Sequence, residues 1–210
     1  METSLKVSNP WAGSPVFVRE RTQSTMDDAR ELAQGGCAEG TVVFAGFQLR
    51  GRGRSPGRAW HSSPWESLMA TIVLNQGSFD FPLADLPLRA AVAACLALED
   101  CGVAPIIKLP NDLMVKGKKL AGILCETCNP YALVGIGVNC LQTAFPGELA
   151  ETACSILQMT GREVNPFQLL PPVLVRLKET IADGLWRDKL FLRLPKKEKG
   201  LASPSDGPLS

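Results

Sequence analysis

Apolar positions along this chain recur with two periods, and together they lay out most of its elements. VFVRER at 16–21 alternates like a half-buried strand. TQSTMDDARELAQGG then reads as a helix: Ser24 or Thr25 supplies the N-cap, Asp27 and Asp28 sit in the first turn, and Gly35-Gly36 ends it. TVVFAGFQ (41–48) and ESLMATIVLN (66–75) are β-branched and apolar, which predicts central strands. The stretch 82–102, small or apolar on most faces and closed by Gly102, predicts a helix. After APIIKLPND, two apolar runs flank Lys-Gly-Lys, the mark of a hairpin, and YALVGIGVN (131–139) predicts another interior strand. A last helix is expected over 166–185, with Trp186 just beyond it.

Hairpins and helices are interspersed, without strict β-α-β alternation. The order predicts an α+β domain, a mixed β-sheet covered on one face by helices. Residues 1–15 read as an N-terminal extension and 16–190 as one folded domain. The charged, then Pro/Ser/Gly-rich stretch 191–210 is expected to be disordered. At 210 residues and 45% hydrophobic, the chain has the material for one core.

Net charge is +1, which argues against a nucleic-acid-coated or membrane-surface protein. No apolar run is long enough to span a bilayer, and the N-terminus lacks the pattern of a signal peptide. Seven cysteines, scattered through core-like segments, fit reduced thiols in the cytoplasm better than a disulfide framework. Cys125 and Cys128 have metal-ligand spacing, but no second such pair exists and the one histidine, His61, is distant; core thiols are the better reading.

Against this near-neutral background, GRGRSPGRAW (51–60) places Arg52, Arg54 and Arg58 within seven residues. Glycine between arginines leaves amides accessible and lets guanidinium groups converge on an anion. Uncovered, such a loop has little to bury and is expected to be mobile over 49–59; a polyanionic ligand would order it. A solvated basic turn is the plain alternative. Nucleic-acid binding would want interleaved aromatic residues, and only Trp60 is near.

A second constellation is KLPNDLMVKGKKLAGILCE (108–126), which brings Lys108, Asn111 and Asp112 to a strand edge and returns Lys118 and Lys119 beside them. Carboxylate, amide and ammonium there suit a phosphate, a magnesium ion or a nucleophilic amine, although Pro-Asn-Asp is also an ordinary turn. In GIGVN (135–139), two glycines within an apolar strand predict close approach of another group. No P-loop, dinucleotide fingerprint or acyl nucleophile is present. Arg, Lys, Asn and Asp together suit transfer of a phosphoryl or adenylyl group.

STMDDA, FQLRGRGRSPGRAWHSSP, KLPNDLMVKGKKLAGILCE and GIGVN, in this order, resemble the catalytic domain of the biotin protein ligases over about residues 16–185. The resemblance implies ATP and biotin as substrates, Mg2+ with the nucleotide, and a biotin carboxyl carrier domain as partner, acetyl-CoA carboxylase first among carboxylases. It implies no nucleic acid, no membrane and a cytoplasmic location, and it is compatible with a homodimer. In that family the arginine-glycine loop folds over biotin and its adenylate. Carried over, Arg54, Asp112 and Lys119 would be catalytic: Arg54 holding the adenylate, Lys119 contacting carboxylate and α-phosphate, Asp112 handling the acceptor lysine. Ser24, Thr25, Met26, Gln48 and Gly51 to Arg54 (Arg52 and Gly53 included), with Lys119 and Gly122, would bind biotin. Arg52, Arg54, Trp60, Asn111, Lys119 and Asn139 would bind ATP, with no metal cage of the protein's own.

Met26 stands where the family usually has Asn, Leu109 where it has Trp, and Trp65 and Ser67 in a turn that usually contains Gly and Asn. These departures are expected to alter the pocket floor more than the chemistry. The family's small C-terminal domain and the DNA-binding N-terminal domain of some members are both expected to be missing. A lipoate ligase or octanoyltransferase, and a non-catalytic relative that binds biotin or nucleotide, are the alternatives.

Overall fold

The computed structural model describes residues 7–54, 57 and 59–199. Seven strands form one mixed sheet: β1 (Val16–Arg19), β2 (Val42–Ala45), β3 (Ser67–Asn75), β4 (Ile106–Lys108), β5 (Asp112–Val115), β6 (Lys118–Cys128) and β7 (Tyr131–Asn139). Their order is β1-β2-β3-β7-β6-β5-β4, with β1 and β2 parallel and every other pair antiparallel. Lys116 and Gly117, both at positive φ (49° and 80°), make the two-residue turn between β5 and β6, the backbone that a tight hairpin requires.

Alternation along the strands divides the sheet. Ala132, Val134, Ile136 and Val138 of β7 join Leu68, Ala70, Ile72 and Leu74 of β3 in the main core. That core is covered by α2 (Leu86–Asp100) and α5 (Pro166–Ala182). Arg89 of α2 ties the two helices together: its Nη1 donates to the carbonyls of Thr180, Ile181 and Asp183 at 2.9–3.1 Å. These carbonyls lie at the C-terminal end of α5, where acceptors lose their i+4 partners; Thr180 O also accepts from the Asp183 N–H at 3.4 Å. Phe81 and Trp186 flank the guanidinium, 3.8 and 4.8 Å from ring centroid to Cζ. Burial lowers the Arg89 pKa from its ordinary value.

The main helical layer lies on one face, as the sequence predicts. One helix, α1 (Thr25–Gln34), packs on the other face through Met26, Ala29 and Ala33 against Val43, Val73 and Leu133. Its cap is Ser24, which accepts from the Met26 N–H. Stretches that carry no clear periodicity form the short helices α3 (Leu149–Thr152) and α4 (Ile156–Thr160).

One sequence expectation needs correction, and a second gains a structural frame. Disorder from 191 onward does not hold as far as 199: α6 (Trp186–Arg193) and α7 (Lys196–Lys199) continue the fold. Trp186, Leu190 and Leu194 are buried in the main core, and Arg193 pairs with Glu99 of α2. Three apolar anchors offset the charged composition there. Residues 200–210 lie outside the described residues. The mobility expected over 49–59 also meets unforeseen anchorage. Arg52 and Ala59 form an antiparallel bridge, and the Trp60 N–H donates to Gly51 O at 3.0 Å. Ser55, Pro56 and Arg58 are outside the described residues.

Residues 9–14 pack closely on the domain: Asn9 Nδ2 donates to Gly40 O at 2.9 Å, and Lys178 Nζ to Pro10 O at 2.7 Å. Among the described residues no helix is long and apolar enough to cross a membrane.

Candidate active site

Beside α1, on the same face, glycines stand where larger side chains would fill the space. Gly135 and Gly137 of β7 and Gly122 of β6 share this face, and Gly122 is paired with Gly137 across the ladder. A Cβ on Gly137 would lie 3.0 Å from the Trp60 ring, and one on Gly135 3.0 Å from Met26 Sδ. A Cβ on Gly122 would meet Lys119 Cε and Nζ at 3.2 Å. The close approach predicted for the glycines is therefore real, and the approaching groups are Met26, Trp60 and Lys119. Above this floor opens a cleft of about 520 Å³, the open solvent at its mouth included.

One end of the cleft is the N-terminus of α1. Gln48 Oε1 accepts from the Thr25 N–H at 2.8 Å and from Thr25 Oγ1 at 3.1 Å, and Thr71 Oγ1 donates to Thr25 Oγ1 at 2.9 Å. This chain fixes hydroxyl and amide at the pocket wall, with Ser24 beside them. Met26 is 3% exposed and lies over Gly135, so the position where the family usually has an amide is here apolar. Met69 and Leu124 extend that apolar end.

The opposite end holds the charged groups. Lys119 Nζ lies 2.5 Å from Asp112 Oδ1 and 6.0 Å from the Trp60 ring centroid. A bulge delivers the lysine: Leu113 pairs with Ala121 but Met114 pairs with Lys119, so Leu120 is the extra residue. Without it, alternation from Gly122 would turn Leu120 toward the cleft. With it, Leu120 and Ala121 both enter the main core and Lys119 faces the cleft. Asn111 is held by a reciprocal pair: its Nδ2 donates to Ile123 O at 2.8 Å and its carbonyl accepts from Ile123 N–H at 2.9 Å.

Arg52, Gly53 and Arg54 border the mouth, with Trp60 reaching inward. The Trp60 indole Nε1 is buried without a hydrogen-bond partner. Arg52 turns outward, its Nη1 2.6 Å from Asp27 Oδ1 and its Nη2 3.7 Å from Glu126 Oε1.

Ser24, Thr25, Met26, Gln48, Arg52, Gly53, Arg54, Trp60, Asn111, Lys119 and Gly122 thus all meet around one cleft, with Asp112 attached through Lys119. Gly51 forms the base of the loop and borders a neighbouring hollow. Asn139 stands apart: it is buried at the end of β7, donating to Cys154 O at 3.0 Å. Of the departures expected to alter the floor, only Met26 does so. Trp65 packs on the helical face, 5.2 Å from Phe167, and Ser67 is buried, accepting from Gln142 Nε2 at 2.6 Å. Leu109 is 36% exposed beyond β4. Met69, Leu124, Asp27 and Glu126 were not singled out by the sequence. No local signal marks the last two, because folding alone brings them to Arg52.

Residues 18–141 match the Biotin/lipoate A/B protein ligase family, and the match covers the cleft from α1 to β7. The chain belongs to that family. Its members include a Biotin--[acetyl-CoA-carboxylase] ligase of Paracoccus denitrificans, 36% identical over 170 residues that cover 74% of this chain and 70% of that one. The bifunctional ligase/repressor BirA of Bacillus subtilis is 33% identical over 182 residues, covering 81% of this chain. The chain spans 55% of the length of that relative. Among solved structures, biotin protein ligase from Aquifex aeolicus in complex with biotin and ATP superposes with a TM-score of 0.77 at 28% identity. That overlap covers 85% of this chain and 78% of the other.

Proposed function

We propose that the protein is an ATP-dependent biotin protein ligase whose glycine-floored cleft holds biotin and the adenylate made from it. The observation that carries this reading is the convergence of the α1 N-terminus, the arginine-glycine loop and the Lys119–Asp112 pair on one cleft. The overlap with a biotin- and ATP-bound ligase supports it.

In the first step biotin's carboxylate attacks the α-phosphate of ATP and pyrophosphate leaves. Two anions must approach, and the Lys119 ammonium at the cleft floor offsets their repulsion in partly desolvated surroundings. Arg54 at the mouth screens the same charge and shields the mixed anhydride from water. Flat glycine backbone lets the acyl chain lie against the sheet. Thr25 and Gln48 hold its polar head, and Met26 closes the apolar end.

In the second step the ε-amine of a lysine on a biotin carboxyl carrier domain displaces AMP. That amine arrives protonated, with a solution pKa of about 10.4. Asp112, at the edge of the cleft, is placed to take or orient its proton once Lys119 has turned to the phosphate. Acetyl-CoA carboxylase is the first carrier to test, because a relative carries it in its name. Magnesium would enter on the nucleotide's phosphates, where Asn111 and Asp112 would offer oxygen donors. The described residues hold no group of three or more His, Cys, Asp or Glu that could cage it.

Incubation with ATP, labelled biotin and a biotin carboxyl carrier domain tests the reading. Stable label on one carrier lysine is the expected result. Transfer of lipoate or octanoate in preference to biotin, or binding without pyrophosphate release, would overturn it.

A further inference from the structure

Outside the cleft, four charged side chains link α1, β6 and the base of the arginine-glycine loop. Arg52 reaches Asp27 with one guanidinium nitrogen and Glu126 with the other, at 2.6 and 3.7 Å. Glu126 is itself held: Arg30 pairs with its Oε2 and donates to Thr127 O at 3.2 Å. That grip leaves Oε1 turned toward Arg52. A forked guanidinium between two carboxylates, one on a helix and one on a strand, defines direction as well as distance.

The anchored residue is mechanically connected to the cleft. The Arg52 backbone is bridged to Ala59, and the Trp60 N–H donates to Gly51 O. Trp60 then lies on the glycine floor, and Arg54 borders the mouth two residues beyond Arg52. A pull on the Arg52 side chain therefore sets where both cleft-facing groups of the loop sit.

We propose that Glu126, with Asp27, is a positioning residue: the two carboxylates clasp Arg52 on the outside of the domain and so hold Arg54 and Trp60 over the cleft. Arg52 then acts through its anchors, and the ligand's negative charge falls to Arg54 and Lys119. The four side chains are between 27% and 47% exposed. Ion pairs so open to water add little to stability and are screened by salt. What the clasp supplies is loop geometry.

Tryptic cleavage of the ligand-free full-length protein within 52–58, mapped by mass spectrometry, reads the clasp directly. Glu126→Gln should cut several-fold faster than wild type, Asp27→Asn should change in the same direction, and Glu126→Asp should fall between. High salt should bring wild type toward Glu126→Gln, while the melting temperatures of all stay together. With biotin and ATP, Glu126→Gln should raise KM for biotin several-fold and shed adenylate faster, with kcat for pyrophosphate release nearly unchanged. Cleavage of Glu126→Gln at the wild-type rate, or cleavage that merely tracks a lower melting temperature, would overturn the clasp. Only the second arm rests on the proposed ligase reading. A wild type inert toward biotin and ATP would sink that reading and leave the tryptic comparison to decide the clasp.

Discussion

On one face of the sheet β7 presents Ala132, Val134, Ile136 and Val138; on the other it presents Leu133, Gly135, Gly137 and Asn139. The first set is sealed under α2 and α5; in the second, Leu133 packs under α1 while Gly135 and Gly137 leave bare backbone below an open cleft. One strand thus serves two ends by alternation alone. Large β-branched residues on the helical face supply burial, at roughly 25 cal/mol per Å² of apolar surface. Glycine on the other face gives up that burial and leaves room for a ligand. The fold's stability and the site's chemistry are therefore separable at neighbouring residues.

The strongest test lies at the β6 bulge, where Lys119 and Leu120 face opposite sides. Lys119→Ala should lose roughly 2.7–4 kcal/mol of transition-state stabilisation in adenylation, with an unchanged melting temperature. Leu120→Ala should do the reverse, costing roughly 2–5 kcal/mol of folding stability while the remaining folded protein adenylates normally. Asp112→Asn divides the site further: it should release pyrophosphate yet transfer slowly to the carrier. Pyrophosphate release, single-turnover transfer and thermal melting on the three variants decide this. Equal loss of adenylation in Lys119→Ala and Asp112→Asn would make Asp112 a nucleotide or metal contact.

Filling the floor should come next in size. A Cβ on Gly137 would stand 3.0 Å from the Trp60 ring, so Gly137→Val must drive the indole off the sheet. Biotin binding should weaken several-fold or more, because the added methyl groups and the displaced indole take the ligand's place on the floor. Ile72→Ala, fully buried on the helical face, should instead lower the melting temperature and leave biotin affinity alone. Calorimetric titration beside thermal melting would separate the two. If Gly137→Val bound biotin normally, the floor would not be the ligand's seat.

How legible each face is from sequence follows from the same division. β7 and the Lys-Gly hairpin are readable because alternation and turn chemistry are local signals. GIG announces a close approach, though not that Met26 and Trp60 make it. The Leu120 bulge is invisible to local patterning: Lys118 and Lys119 are equally plausible by alternation, the resemblance selects Lys119, and the pairing register supplies the physical reason. Trp65 misleads for a related reason: at φ 63° it turns back under Gly46 to the helical face, away from the cleft that its position after Trp60 suggests. The helices over 186–199 escape a composition-based reading because three spaced apolar residues, Trp186, Leu190 and Leu194, carry them against a charged background.

Loop contacts come next. Arg54→Ala removes a charged group from the mouth, worth roughly 1.5–3 kcal/mol for a hydrogen bond to a charged partner. Adenylate should escape ten- to a hundredfold faster and label bystander lysines, while folding stability is untouched. Unchanged escape and unchanged biotin affinity together would remove Arg54 from the lid.

The smallest effect tests the dryness of the helical side. None of the seven cysteines is paired in a disulfide. Cys95, Cys140 and Cys154 are fully buried. Burial pushes the Cys140 thiol up to about 12 and that of Cys154 to about 11, and raises Cys95 as well. All three should therefore stay protonated and resist alkylation at pH 8 until the chain unfolds. The sign of the linkage follows: the unfolded chain begins to release these protons near the ordinary thiol value of about 8.5, and the folded chain keeps them. Stability from these groups is present at neutral pH and declines as pH rises from about 8.5 toward the folded values. Urea titrations at pH 7.5 and 9.5, with iodoacetamide labelling at pH 8 read by mass spectrometry, check both halves. Rapid labelling of Cys140 in the native protein would mean that the helical face admits water, and the contrast between the two faces would fail on its dry side.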